Sequence, residues 1–210
     1  LVLGELIRRV SGQDVHEFSR ENIFRPLGMA ETGFLPGEPL RGRAVPTEQR
    51  EGKWIRGEVH DPRAYRLGGI AGHAVLFSTA EDLSRFARMM LRGGVPDDGA
   101  RVLESATLEQ FTRRQMEGSS RGLGWDTPSG ANSSAGRWMT ERAFGHTGYT
   151  GTSIWIDPEL DLFVIVLTNR VNPTRANTRH APMRREVASL AVQALTDREV
   201  EPRVPGGGNQ

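Results

Sequence analysis

A histidine, a hydroxyl and glycine-flanked peptide groups stand in consecutive positions at His146-Thr147-Gly148-Tyr149-Thr150. A histidine is a switchable proton donor near neutral pH. Thr147 brings a hydroxyl, and Gly148 lets the backbone approach a ligand closely. The Tyr149 N–H is placed to point at a developing negative charge, the kind of donor whose loss costs about 3 kcal/mol in an acyl-transfer site. The set reads as the anion-holding side of a site, for a substrate carboxylate or an oxyanion. Alone, the tripeptide His146-Thr147-Gly148 reads more readily as a glycine-containing entry to a strand with a surface histidine. The continuation Thr150-Gly151-Thr152-Ser153 and the apolar hairpin after it favour the chemical reading. Such a site serves a nucleophile, and the motif contains none.

Other groupings carry less. His60-Asp61, His73 and His146 would make a four-ligand metal set, but their spacing fits no zinc pattern, and no metal is expected. Gly118-Ser119-Ser120-Arg121-Gly122 matches G-x-S-x-G on paper, yet a nucleophile elbow needs an apolar strand before it and a helix after it. Here the arginine-rich FTRRQME precedes it and LGW follows, so the match is read as chance. Gly68-Gly69 and Gly72 lack the lysine of a phosphate-binding loop. The four tryptophans read as core or cleft packing. No cofactor is implied.

The elements that must position the motif follow from periodicity and caps. Leu1–Val10 has an amphipathic helical pattern that Gly12 stops. Asp14 and Glu17 form a capping box opening a helix to about Ile23, closed by Pro26 and Gly28. Residues 30–67 read as long loops with short strands, a length that usually marks a functional segment or one packed on a partner. Ser78-Thr79-Ala80-Glu81 forms a second capping box, for a helix through Met89–Leu91 that Gly93-Gly94 ends. Further helices are expected at Ser105–Gln115 and Asn177–Thr196. In the last, Pro182 must lie near the first turn, and Val187, Leu190, Ala191 and Leu195 should cross the sheet. Arg121–Asp126 reads as a short strand and Asn132–Gly136 as a polar loop. Ser153–Asp157 alternates as a strand with one covered face, Pro158-Glu159 turns, and Leu162–Leu167 is apolar throughout, as in a strand covered on both faces. Residues 201–210 read as a disordered tail.

The 210 residues carry a net charge of +1 and a mean hydropathy of −0.46, which suits one globular domain or a large part of one and provides no electrostatic footprint for nucleic acid. Lys53 is the single lysine; every other basic residue is an arginine, a skew expected of GC-rich coding. The absence of cysteine excludes disulfides, thiolate metal sites and a cysteine nucleophile. The longest apolar run, Leu162–Leu167, is far short of the roughly 18 residues of a membrane span.

Several separated segments resemble one family in its order: LGELIRRVSG, IFRPLGMAETGF, RAVPTE, VHDPRAY, GGIAGHAVLFSTAEDLSRFARMM, RGLGWD and GHTGYTGTSIWIDPELDLFVIVLTNRV. They look like the C-terminal part of the serine beta-lactamase-like, penicillin-binding hydrolases, the group of class C beta-lactamases, D-alanyl-D-alanine carboxypeptidases, D-aminopeptidases and related esterases. The resemblance implies three motifs: Ser-x-x-Lys, Tyr-x-Asn or Ser-x-Asn, and Lys/His-Thr-Gly. The third is His146-Thr147-Gly148, with His146 and Thr147 assisting binding and proton handling and the Tyr149 N–H as half of the oxyanion hole. Gly72, His73 and Thr150 would line the cleft. The first motif cannot occur here, since Lys53 is the only lysine and position 50 is Arg50. Neither Tyr65 nor Tyr149, nor any serine, has an asparagine two residues on.

The resemblance implies an α/β (α+β) fold, a partial beta-lactamase/transpeptidase-like structure whose antiparallel sheet has flanking helices and lacks its N-terminal strands. Residues 1–200 would be the C-terminal part of one domain, with a mainly helical and loop portion over 1–120 and the sheet hairpin and C-terminal helix over 121–200. The expected parent is a periplasmic or extracellular serine hydrolase that acts through an acyl-enzyme on a small-molecule or peptide substrate, namely a D-amino-acid peptide, a beta-lactam or a small ester. The chain alone, without nucleophile, would be inactive. Two rivals remain: a non-catalytic binding or interaction protein on the same scaffold, and a metal-dependent hydrolase using His60, Asp61, His73 and His146.

Overall fold

The structure, a computed structural model, describes residues 2–203. They divide into two compact units, Leu1–Met89 with Val95–Val102 and Val171–Ala176, and Met90–Gly94 with Leu103–Arg170 and Asn177–Gln210.

In the first unit α1 spans Val2–Ser11, and Gly12 stops it in the left-handed region, its N–H donating to Arg8 O at 2.9 Å. Helix α2, Val15–Ser19, opens on Asp14, whose carboxylate accepts the Glu17 N–H at 2.8 Å. The chain then widens to i→i+5 bonding over Arg20–Phe24 before Gly28 turns it out of the helix. Residues 30–67 hold more structure than loops and strands. Besides the hairpin of β1 (Gln49–Arg50) and β2 (Lys53–Trp54) they contain α3, Leu40–Arg43, and α4, Pro62–Arg66. These helices are one turn long, too short to show a hydrophobic period. Helix α5, Ala80–Leu91, starts one residue later than its expected box. Thr79 Oγ1 accepts the Asp82 N–H at 3.2 Å, while the Ser78 hydroxyl bonds Thr32 Oγ1 at 2.7 Å. Phe24, Leu27, Met29, Phe34, Ile55, Val59 and Ala64 are buried in this unit.

The second unit holds α6, Ser105–Thr112, which ends three residues before the expected Gln115. Arg121–Asp126 is not a strand but a turn with a single bridge, Arg121 to Asp126. A second bridge joins Asp126 to Gly145, on β3 (Phe144–Thr147). The sheet has the order β3-β4-β5, all antiparallel, with β4 at Ser153–Asp157 and β5 at Leu162–Val166. Its register pairs Gly145 with Trp155 and Trp155 with Val164. Alternation then puts Trp155, Val164 and Val166 on one face, where they pack with Ala135, Met139, Ala143, Leu160 and α7 (His180–Gln193). Gly145 is glycine because a Cβ there would stand 2.5 Å from the indole of Trp155. The expected polar loop 132–136 is instead drawn into this core. Ala135 is wholly buried, and Ser134 Oγ accepts the Trp155 Nε1–H at 3.2 Å.

Three expectations about faces are corrected. In β4 Ile156 is as fully buried as Trp155 on the opposite face, so the strand is covered on both faces and not on one. β5 is covered on the Val164–Val166 face and only half-buried at Phe163 and Ile165, while Leu167 is exposed. In α7 the buried positions are Arg184, Ala188, Ser189 and Val192, with Ala191 and Leu195 partly covered. Val187 and Leu190 face outward, Leu190 at 54% exposure. The stripe is rotated because it includes an arginine, which an apolar pattern does not count. Arg203 is tied down by its N–H to Arg137 O at 2.7 Å; the remainder of the expected tail, residues 204–210, lies outside the described residues.

The turn from β4 to β5 rests on Asp157. Its fully buried carboxylate accepts from Thr140 N at 2.7 Å, Thr140 Oγ1 at 2.8 Å, Glu159 N at 3.1 Å and Leu160 N at 3.3 Å. Asp157→Ala would leave several buried donors unmatched, a loss of about 3 kcal/mol. Urea unfolding should report a loss of that order, and a change below about 1 kcal/mol would contradict the assignment.

Candidate active site

The antiparallel pairing of Thr147 with Ser153 closes a five-residue loop, Gly148 to Thr152, at the end of β3. Gly148 N–H donates to Thr152 O at 2.7 Å, and Gly151 N–H to Gly148 O at 3.1 Å. Gly151 has φ +119°, and a Cβ there would stand 2.9 Å from both Thr168 O and Arg170 N, so only glycine fits. At Gly148 a Cβ would run into Thr152 Oγ1.

Each of the five loop carbonyls accepts a hydrogen bond. Beyond the two within the loop, Tyr149 O accepts from Arg170 Nε at 2.8 Å and Thr150 O from the Arg170 backbone at 2.7 Å. Gly151 O accepts from Thr168 Oγ1 at 2.6 Å. Arg184 Nη1 reaches from α7 to Gly148 O at 3.2 Å and Thr152 O at 2.6 Å. The Arg170 guanidinium also stacks 4.2 Å over the Tyr149 ring. The chain after the Thr-Gly step is thereby held by its oxygens.

His146 lies on the sheet face opposite Trp155 and is exposed. Arg121 Nη1 is 3.1 Å from its Nε2, and its Nδ1 is 2.8 Å from Thr147 O. A guanidinium only donates. Nε2 is therefore the acceptor in that contact, and the Nδ1–H donates to Thr147 O. Thr147 is half-buried, and its hydroxyl has no protein partner among the described residues. The arrangement sets an imidazole beside a cation, a hydroxyl and a rigid peptide loop at one end of the sheet.

His60, Asp61, Gly72 and His73 lie in the first unit. Asp61 caps α4, accepting from Arg63 N at 3.0 Å and Ala64 N at 2.8 Å, which holds its carboxyl below the ordinary range. His73 Nε2 is 3.5 Å from that carboxylate. His60 Nε2 stands 3.1 Å from Glu48, which also pairs with Arg175. Gly72 packs against α1, where its Cβ would stand 2.8 Å from Gly4 N. Among the described residues no three His, Asp or Glu side chains converge on a point. Ser119 lies in a turn where its hydroxyl accepts the Arg121 N–H at 3.2 Å, with no strand before it or helix after it. Arg121, Arg170 and Arg184 carry no motif signal, and the sequence reading passes over all three. The one hint is position, since Arg121 opens RGLGWD and Arg170 closes LTNR.

The sequence profile of the Beta-lactamase family matches residues 1–189, and the chain belongs to that family. It is 30% identical over 210 residues to a protein named "Putative D-alanyl-D-alanine carboxypeptidase" from Escherichia coli (strain K12), covering 91% of this chain and 48% of that protein. A Salmonella typhi protein of the same name is 31% identical, over 87% of this chain and 46% of its own. The chain thus spans about half the length of the curated relatives it matches. Among solved structures, a penicillin-binding protein homolog from Caulobacter crescentus superposes with a TM-score of 0.67 at 21% identity, over 91% of this chain and 56% of that one. Simvastatin synthase (LovD) from Aspergillus terreus superposes with 0.66 at 16% identity, over 92% and 54%. These likenesses show the fold, a beta-lactamase/transpeptidase-like α/β structure with an antiparallel sheet.

His180, the first residue of α7, reports on the charge behind the loop. Burial, then the cations Arg184 and Arg170, hold its pKa below 6.5. A histidine lowered in the folded state favours the neutral form there. Its contribution to stability is complete above about pH 6.5 and is lost as the pH falls toward the lowered folded value. An NMR titration should place the His180 midpoint below 6.5, and a midpoint at or above 6.5 would refute the buried, cation-flanked environment.

Proposed function

We propose that this chain is part of a serine hydrolase that cleaves an amide or ester through an acyl-enzyme. It supplies the side of the site that binds the substrate and stabilises the oxyanion. The observation that carries the reading is the loop after His146-Thr147-Gly148, whose carbonyls are all hydrogen-bonded, an arrangement suited to presenting peptide N–H groups to a substrate oxygen. In the proposed reaction a serine Oγ attacks the substrate carbonyl, and its proton passes to a base. The tetrahedral oxyanion is held by the Tyr149 N–H. The amine or alcohol then leaves, and water releases the acyl group.

His146 and Thr147 assist binding and proton handling in this reading. Arg121 adds a cation beside them for a substrate carboxylate, and Thr150 lines the cleft. Gly72 and His73 are proposed as further cleft residues. The attacking serine and its lysine are placed in a segment outside these 210 residues, which contain no Ser-x-x-Lys; the chain by itself is therefore inactive. Histidine in place of lysine at the head of the motif favours a peptidase or esterase over a dedicated beta-lactamase. The absence of Ser-x-x-Lys is also what favours the second reading, a non-catalytic binding protein on the same scaffold.

A fluorophosphonate or penicillin probe separates the two. Applied to a protein that includes the segment preceding Leu1, it should label one serine in that segment, located by peptide mass spectrometry, and leave the 210-residue chain unlabelled. Absence of any label on the longer protein would support the binding protein.

A further inference from the structure

Arg184 is a buried cation in an unusual setting. It is 7% exposed, and among the described residues no carboxylate pairs with it. Its Nε has no partner, and Arg170 adds a like charge nearby. Burying a charge without a counter-ion is costly. At the same stripe one and two turns on, α7 uses Ala188 and Val192. An apolar residue would serve packing equally well.

The cation is spent on two backbone oxygens, Gly148 O and Thr152 O. Gly148 O belongs to the peptide unit that carries the Tyr149 N–H. That unit is planar, and it is trans, since the cis peptides among the described residues are Glu38-Pro39 and Asn172-Pro173. In a trans peptide the C=O and N–H point in opposite directions. An arginine that draws Gly148 O toward α7 therefore aims the Tyr149 N–H away from α7. A cation bonded to the carbonyl also polarises the amide and makes its N–H a stronger donor. The Thr152 bond fixes the far end of the same loop, and a flip of the Gly148–Tyr149 peptide would break the bonds that Gly148 O accepts from Arg184 and from the Gly151 N–H.

We propose that Arg184 is a positioning residue for the oxyanion site: from behind the loop it sets the direction and donor strength of the Tyr149 N–H. The proposal rests on the serine hydrolase reading for its catalytic consequence, and on the peptide geometry alone for its structural one.

The test uses Arg184→Ala and Arg184→Lys in the longer protein carrying the upstream serine, with active sites counted by exhaustive fluorophosphonate labelling. With a p-nitrophenyl ester, Arg184→Ala should lower the acylation rate per labelled site about 100-fold, the scale of losing one oxyanion donor, while KM changes little. Added guanidinium ion at non-denaturing concentration should restore part of the rate. Arg184→Lys, which keeps the charge but not the fork, should fall between the two, and it reads the same split if the alanine variant does not fold. A merely structural role would lower the number of labelled sites but leave the rate per site unchanged, and that result would overturn the proposal.

If the unmodified longer protein takes no label, the hydrolase reading fails, and the geometry is judged in the 210-residue chain. There Arg184→Ala should shift the Tyr149 amide proton and deprotect the Gly151 amide. Unchanged Tyr149 and Gly151 amides would overturn the positioning role.

Discussion

The planarity of the peptide group is the constraint on which the site depends. Five consecutive carbonyls, Gly148 to Thr152, are each engaged by a donor, and most of those donors come from outside the loop: Arg170, Thr168 and Arg184. A loop held only by its own turn bonds could rotate its peptides individually. Here each rotation would break a bond to β5's exit or to α7. The ordering entropy of the loop is met at folding, so in the proposed site the N–H groups would need no rearrangement when a substrate arrives, the condition under which fixed dipoles are most effective.

The remainder of the second unit keeps those donors in place. Trp155 sits across from Gly145 and packs on Ala188 and Val192, which locks α7 to the sheet and so sets the depth from which Arg184 reaches. Asp157 organises the turn into β5, and the end of β5 delivers Thr168 and Arg170 to the loop. The bridges of Asp126 to Gly145 and to Arg121 bring the Arg121 guanidinium to His146. The apolar core and the polar loop share the same elements, β4, β5 and α7.

Much of this was legible in the sequence wherever a local rule applied. Gly12, the Asp14 cap, the bounds of the strand Ser153–Asp157 and the His146-Thr147-Gly148 motif each carry a short-range signal, and each lies where that signal puts it. The supports of the site carry no such signal. Arg184 bonds residues 32 and 36 positions away, and an apolar set of Val187, Leu190, Ala191 and Leu195 does not count it. Arg121 reaches a histidine 25 positions on through two isolated bridges. The close approach of Gly72 to the backbone of α1 joins residues far apart in the chain and likewise has no local signal. Side-chain bonds to distant carbonyls have no periodicity and leave little trace in a single sequence.

The central claim is that a peptide plane fixed from behind presents the Tyr149 N–H to the oxyanion. A crystal structure of the longer protein after reaction with a phosphonate tests it most directly. The account predicts a phosphoryl oxygen within about 3 Å of Tyr149 N, with Gly148 O still bonded to Arg184. A phosphoryl oxygen bound by other donors, with the Gly148–Tyr149 peptide turned away from it, would contradict the account.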